Sequence, residues 1–299
     1  MDHVLTLIAN AAEADLDDAA VAGARAALTG LGALTGTPDT LAPGIACDLP
    51  FAGLSPDQAT AAAAAALPGR RIDLIAQPSA GRRKRLLVAD MESTVIQQEM
   101  LEELADLVGI RERITEITWR AMNGEVDFAD SVRERVGLLR GLSTDALEQV
   151  FDRVELMPGA SALVATMRGN GARCVLVSGG FKFFSARVRD RLGFHDDQAN
   201  DLELVDGRLT GRPVEPILDK NAKLGTLLRE AGRHHIPIAE TLAVGDGAND
   251  LPMIQAAGLG VAYHAKPSVA AQARARIDHT DLTALLYAQG YRHDEIRHS

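Results

Sequence analysis

Asp90-Met91-Glu92-Ser93-Thr94 closes the apolar run Leu86-Leu87-Val88-Ala89 with two carboxylates spaced two residues apart. A continuous apolar run of this length reads as a buried parallel strand. Helical sequence follows it, which places Asp90 at the carboxyl end of the strand, where open α/β sheets collect their ligands. A carboxylate there can attack phosphorus while a second one moves a proton. The same pattern also suits a strand that merely caps the next helix. The rest of the chain decides between the two.

Three later segments favour chemistry. Ala172–Val177 is a second buried strand and ends in Ser178-Gly179-Gly180. Lys223 lies in a helix predicted to begin near Asp219. Thr241–Val244 is a third strand and runs into Gly245-Asp246-Gly247-Ala248-Asn249-Asp250. An attacking carboxylate, a hydroxyl with glycines, a lysine and an acidic cluster in this order resemble the haloacid dehalogenase superfamily of aspartate-nucleophile phosphatases. Gln97-Gln98-Glu99, Met122 and Phe128–Val136 further resemble the cap of the phosphoserine phosphatases in that superfamily. The likeness spans roughly residues 84–290.

The resemblance implies an α/β fold: a doubly wound, mainly parallel Rossmann-like sheet over residues 81–299, with a helical cap inserted at about 97–156. It implies Asp90 as nucleophile and Glu92 as general acid and then base. It also implies Mg²⁺ held by Asp90, the Glu92 carbonyl and Asp246, with Asp250 behind them. Oxygen-only ligands suit that hard cation. Ser178 and the Gly179 amide would hold phosphoryl oxygens, Lys223 would add a charge, and Asn249 would orient the substrate. Lys220 competes with Lys223 for its role. In the cap, Glu99 would meet an ammonium, Arg135 a carboxylate, and Met122 and Phe128 would wall the pocket. Glu92 stands where the family more often has Asp. Its side chain is longer by one carbon–carbon bond, ~1.5 Å, so its carboxyl must fold back or the backbone adjust. The substrate implied is O-phosphoserine, hydrolysed in the last step of serine biosynthesis. Homoserine phosphate, phosphoethanolamine and phosphotransfer to another alcohol are the alternatives.

Composition bounds the partners. A net charge of −10 argues against nucleic acid, whose phosphates require a basic surface. Arg82-Arg83-Lys84-Arg85, the one basic cluster, reads as a solvated linker. No apolar stretch is long enough for a membrane span, and Met1-Asp2-His3 does not resemble a secretory signal. Cys47 and Cys174 are far apart and read as buried filler in a reducing compartment. A cytoplasmic enzyme is the expectation.

Residues 1–80 differ in style. Val4–Ile8, Gly44–Leu49 and Arg71–Ala76 read as strands, and Asp17–Leu31 and a segment capped by Ser55-Pro56 as helices. This β-α-β-α-β order predicts a small ferredoxin-like sandwich that resembles ACT domains. It would bind an amino-acid effector or form a homodimer, and would be separable from the chemistry. The charged stretch Arg292–Ser299 is expected to fray.

Overall fold

The computed structural model describes residues 1–122, 125–218 and 220–297, without the side chains of Met122 and Lys220. The sequence readings of Met122 as a pocket wall and of Lys220 as a competitor therefore lie outside the described residues. Among those described, no helix is long and apolar enough to cross a membrane.

The chain begins with β1 (His3–Ala9), α1 (Asp18–Gly30), β2 (Leu34–Thr35), β3 (Asp39–Ala42), β4 (Ala46–Ala52), α2 (Pro56–Ala66) and β5 (Ile72–Pro78). Asp17 caps α1 through the Ala20 N–H. Ser55 and Gln58 form a reciprocal capping box on α2, with Pro56 at its start. The antiparallel sheet runs β2-β4-β1-β5, with β3 also on β4. Short β2 and β3 correct the sequence reading, which had no strand between α1 and β4. Pro38 divides the two pieces, and backbone pairing with β4 holds them without hydrophobic alternation.

The larger sheet is assembled from β6 (Leu86–Asp90), then four cap helices, α3 (Met100–Leu107), α4 (Arg111–Met122), α5 (Phe128–Leu138) and α6 (Thr144–Phe151). The chain returns through α7 (Ala160–Gly169), β7 (Arg173–Phe181), α8 (Lys182–Leu192) and the hairpin β8 (Asp196–Val205) and β9 (Arg208–Val214). It ends with α9 (Lys220–Arg233), β10 (Thr241–Gly245), α10 (Leu251–Ala256), β11 (Leu259–Tyr263), α11 (Pro267–Ala270), β12 (Ala275–Ile277) and α12 (Ala284–Ala288). The strand order is β12-β11-β10-β6-β7-β8-β9, parallel except for the β8–β9 hairpin. Alternate residues face opposite cores. Leu87, Ala89, Leu176 and Val244 join one cluster, and Leu86, Val88, Val175 and Ala243 the other. Both faces are covered, as the continuous apolar runs required.

The small sheet uses both faces too. Leu5, Leu7, Leu49 and Phe51 pack under its own helices. Ile8, Ala46 and Ile75 join the cluster that holds Leu285 and Ala288 of α12. Between these apolar contacts sits Asp73, which is 4% exposed. Its carboxylate accepts from the backbone N–H groups of Asp278, His279 and Thr280 and from the Thr280 hydroxyl at 2.7 Å. Gln77 donates to the Ala288 carbonyl at 2.7 Å.

Two sequence readings need correction here. The 82–85 cluster is not a solvated linker: Arg82 pairs with Asp48, Arg83 with Glu295 and Arg85 with Glu240. Buried Lys84 donates to the Gly81 and Ala239 carbonyls. Burial pushes this ammonium down to about 8. The end of the chain is docked through residue 297, with Arg292 on Asp39, Ile296 buried and the Arg297 N–H on Thr166. Charge in a local sequence window cannot show partners that the fold supplies from elsewhere.

Candidate active site

Strand register builds the site. Asp90 lies opposite Val177 across the β6–β7 pair, and Ala89 lies opposite Val244 across β6–β10. The next residues on the two neighbours are Ser178 on one side and Gly245-Asp246 on the other. Three adjacent strand ends therefore present the nucleophile candidate between a hydroxyl and the acidic cluster. The β7–β8 register shifts between Val177 and Phe181, which frees the Ser178–Gly180 backbone from ladder pairing. Asn200, 2% exposed, holds that segment by donating to the Gly179 carbonyl at 2.8 Å and accepting from the Leu218 N–H at 2.7 Å.

Asp90, Asp246 and Asp250 bring carboxylate oxygens within 4.8 Å of one another. Lys223 Nζ lies 2.7 Å from Asp90 Oδ1 and 2.5 Å from Asp250 Oδ1. Thr94 Oγ1 donates to Asp246 at 3.3 Å, and Asp250 Oδ2 accepts from the Gly247 N–H at 2.9 Å. Gly245 is required where it stands, because a Cβ there would lie 2.4 Å from Asp250 Cγ. One ammonium faces three carboxylates. Burial, then Asp250, pushes Asp90 well above the usual carboxylate range, and the same two causes raise Asp246. Burial alone would lower the Lys223 ammonium, but Asp250 and Asp90 outweigh it and hold it above its usual range. A compact, oxygen-only, under-neutralised cluster fits a hard divalent cation.

Glu92 faces the other side. Its Oε2 accepts from the Ser178 hydroxyl at 3.1 Å and its Oε1 from the Met100 N–H at 3.0 Å. Burial raises it, against both hydrogen bonds. Ser93, at φ +54°, turns the chain and donates to Glu99 at 2.7 Å. Glu99 is solvent-exposed at the rim, with its carboxylate held by Ser93. Desolvation, then the Glu92 carboxylate, pushes it up to about 7.

Arg135 projects from α5, where it donates to the Ser131 carbonyl at 3.1 Å. Among the described residues it has no carboxylate within 4.0 Å, although the charges of Glu92 and Glu99 are near enough to act on it. Burial lowers its guanidinium from the usual range. Phe128, at the start of α5, closes over Ser178, Gly179, Lys223 and Asn249, leaving a cleft of about 10 Å³. That is about the least a single water needs.

The sequence-selected residues Asp90, Glu92, Ser178, Gly179, Lys223, Asp246, Asn249 and Asp250 thus converge, with Glu99, Phe128 and Arg135 arriving from the cap side. Thr94 and Asn200 were missed. Thr94 stood in the opening motif and could have been read as a partner of the acidic cluster. Asn200 is one of several polar residues along β8, with nothing local to mark it.

A family model described as haloacid dehalogenase-like hydrolase matches residues 87–255. The chain is 43% identical over 217 residues to the phosphoserine phosphatase SerB2 of Mycobacterium tuberculosis, covering 73% of this chain and 53% of that protein. It therefore spans about half that relative's length. The unliganded structure of a probable phosphoserine phosphatase from Vibrio cholerae superposes with a TM-score of 0.79 at 32% identity, covering 98% of this chain and 88% of that one. A phosphoserine phosphatase solved as a phospho-aspartyl intermediate analogue gives 0.63 at 35% identity, covering 68% and 98%.

Proposed function

Because this chain belongs to the haloacid dehalogenase-like hydrolases, we propose that it hydrolyses O-phosphoserine to serine and phosphate, the last step of serine biosynthesis. The observation that carries the substrate is Arg135. It is a half-buried guanidinium held by Ser131 and Thr118, without an ion-pair partner among the described residues, and within electrostatic reach of the exposed Glu99 carboxylate. A phosphorylated amino acid offers the complementary carboxylate and ammonium.

Asp90 attacks phosphorus and forms an aspartyl-phosphate, the species whose analogue was solved for the related phosphatase. Ser178 and the Gly179 N–H hold phosphoryl oxygens, and Lys223 offsets charge on the group in flight. Glu92 gives a proton to the departing serine oxygen and then takes one from the attacking water. Asp90, the Glu92 carbonyl and Asp246 would hold Mg²⁺, with Asp250 supporting them. The ion supplies charge neutralisation for the phosphoryl dianion.

The N-terminal residues 1–80 would take a small amino-acid effector or pair with a second copy. A groove of about 870 Å³ beside α1, lined by Val21, Arg25, Thr40 and Cys47, gives such an effector room.

The test is substrate exchange in Arg135→Ala. The Michaelis constant for phosphoserine should rise by ~10-fold or more, as expected for a lost charge-assisted contact, while phosphoethanolamine, which lacks the carboxylate, is little affected. Equal loss for both substrates would refute the assignment.

A further inference from the structure

Glu92 makes contacts that proton transfer does not require. One carboxylate oxygen takes the N–H of Met100, the first residue of the first cap helix α3, and the other takes the Ser178 hydroxyl of the core. Ser178 Oγ in turn accepts the Gly180 N–H at 2.8 Å. A Cβ on Gly180 would lie 2.6 Å from Glu92 Oε2 and 2.9 Å from Oε1. Gly180 lies within β7 without a left-handed φ. The position therefore needs the space of glycine and not its backbone freedom.

We propose that Glu92 is also the latch that ties the closed cap to the phosphate cradle, and that Gly180 is the residue that admits a glutamate there. This deepens the phosphatase reading and rests on it for the role of Ser178. The cleft between Phe128 of the cap and the Ser178–Gly179 segment of the core is too small for a phosphomonoester, so cap and core have to separate at Phe128 to admit one there. The Glu92 bridge crosses the junction that has to part. An aspartate on the same backbone falls ~1.5 Å short and cannot span from the Ser178 hydroxyl to the Met100 N–H. When a phosphoryl oxygen recruits the Ser178 hydroxyl, Glu92 Oε2 is released toward the leaving oxygen. Substrate arrival thus arms the proton carrier.

The clash at Gly180 makes the latch separable from the chemistry. The crowded atoms are the far end of a flexible side chain, so Gly180→Ala should fold and push the Glu92 carboxylate off its two partners. In a Glu92→Asp background the space is already free. The experiment is a four-protein cycle of wild type, Glu92→Asp, Gly180→Ala and the double variant, with two readouts. Amide exchange of Met100, followed without substrate, should quicken ~10-fold in each single variant, the equivalent of one lost hydrogen bond of about 1.4 kcal/mol. For phosphoserine, kcat/KM should fall ~10-fold or more on Gly180→Ala in wild type, but less than about 3-fold in the Glu92→Asp background, a coupling of ordinary size for touching residues. Unchanged Met100 exchange in Glu92→Asp would overturn the latch, as would an equal effect of Gly180→Ala in both backgrounds. Quickened Met100 exchange in proteins that do not turn over phosphoserine would uphold the latch and sink the substrate assignment instead.

Discussion

Lys223 Nζ sits 2.7 Å from Asp90 Oδ1, so the ammonium is shared between the nucleophile candidate and Asp250 in a buried site. Such a charge cannot be removed quietly. Taking it away leaves Asp90, Asp246 and Asp250 facing one another with their repulsion unrelieved, and removes the donor that Asp90 and Asp250 share.

Lys223→Ala should therefore lose ~10²–10³-fold in turnover, the range for deleting one preorganised electrostatic group. The Michaelis constant should change less. Steady-state phosphate release with circular dichroism as a folding control checks this. A folded variant with wild-type turnover would remove Lys223 from the site.

Glu99 makes a pH prediction. Burial and Glu92 raise its carboxyl from 4.5 to about 7, so the folded protein binds this proton more tightly than the unfolded chain. Its contribution to stability is greatest below the unfolded value and is lost as pH rises through about 7. Substrate binding has the opposite sign, because an ammonium needs the anion. The Michaelis constant for phosphoserine should thus climb as pH falls from about 8 to about 6, and Glu99→Gln should be high and flatter over that interval. The variant also corrects for titration of the phosphate itself. Superimposable profiles would mean that Glu99 does not receive the ammonium.

Asp73 concerns the docking of residues 1–80. Its carboxylate satisfies three successive N–H groups of the 278–280 loop, and each buried donor left without a partner costs ~1–3 kcal/mol. Asp73→Ala should lower stability by at least ~2 kcal/mol in denaturant melts. A chain starting near Gly81 should lose more, since it also uncovers α12. Turnover per folded molecule should persist in both, because every catalytic candidate lies beyond Gly81. An unaltered melt for Asp73→Ala would show the docking to be weak, and a folded but inert shortened chain would show that residues 1–80 complete the active site.

Much of the site was legible because its chemistry sits at strand ends marked by local apolar runs. Asp90 and Ser178 lie on neighbouring strands and Asp246 follows the end of β10 on the other side of β6; the sequence placed these motifs at strand ends, and the register sets them side by side. Contacts made by isolated residues were not legible. Nothing local sets Asp73 or Asn200 apart from the other polar residues of their strands, and their worth comes from backbone groups distant in sequence. The route of the Glu92 side chain was open for the same reason. Its length invited a fold-back, but only the positions of Met100 and Gly180 show where the carboxylate goes.

The proposed hydrolysis requires Asp90 to carry the phosphoryl group of phosphoserine. The most direct measurement is phosphate release from O-phosphoserine by wild type and by Asp90→Asn, both shown to be folded, in excess Mg²⁺. Steady release by wild type and none above background by Asp90→Asn is the predicted result. Release at near-wild-type rate from folded Asp90→Asn would contradict it.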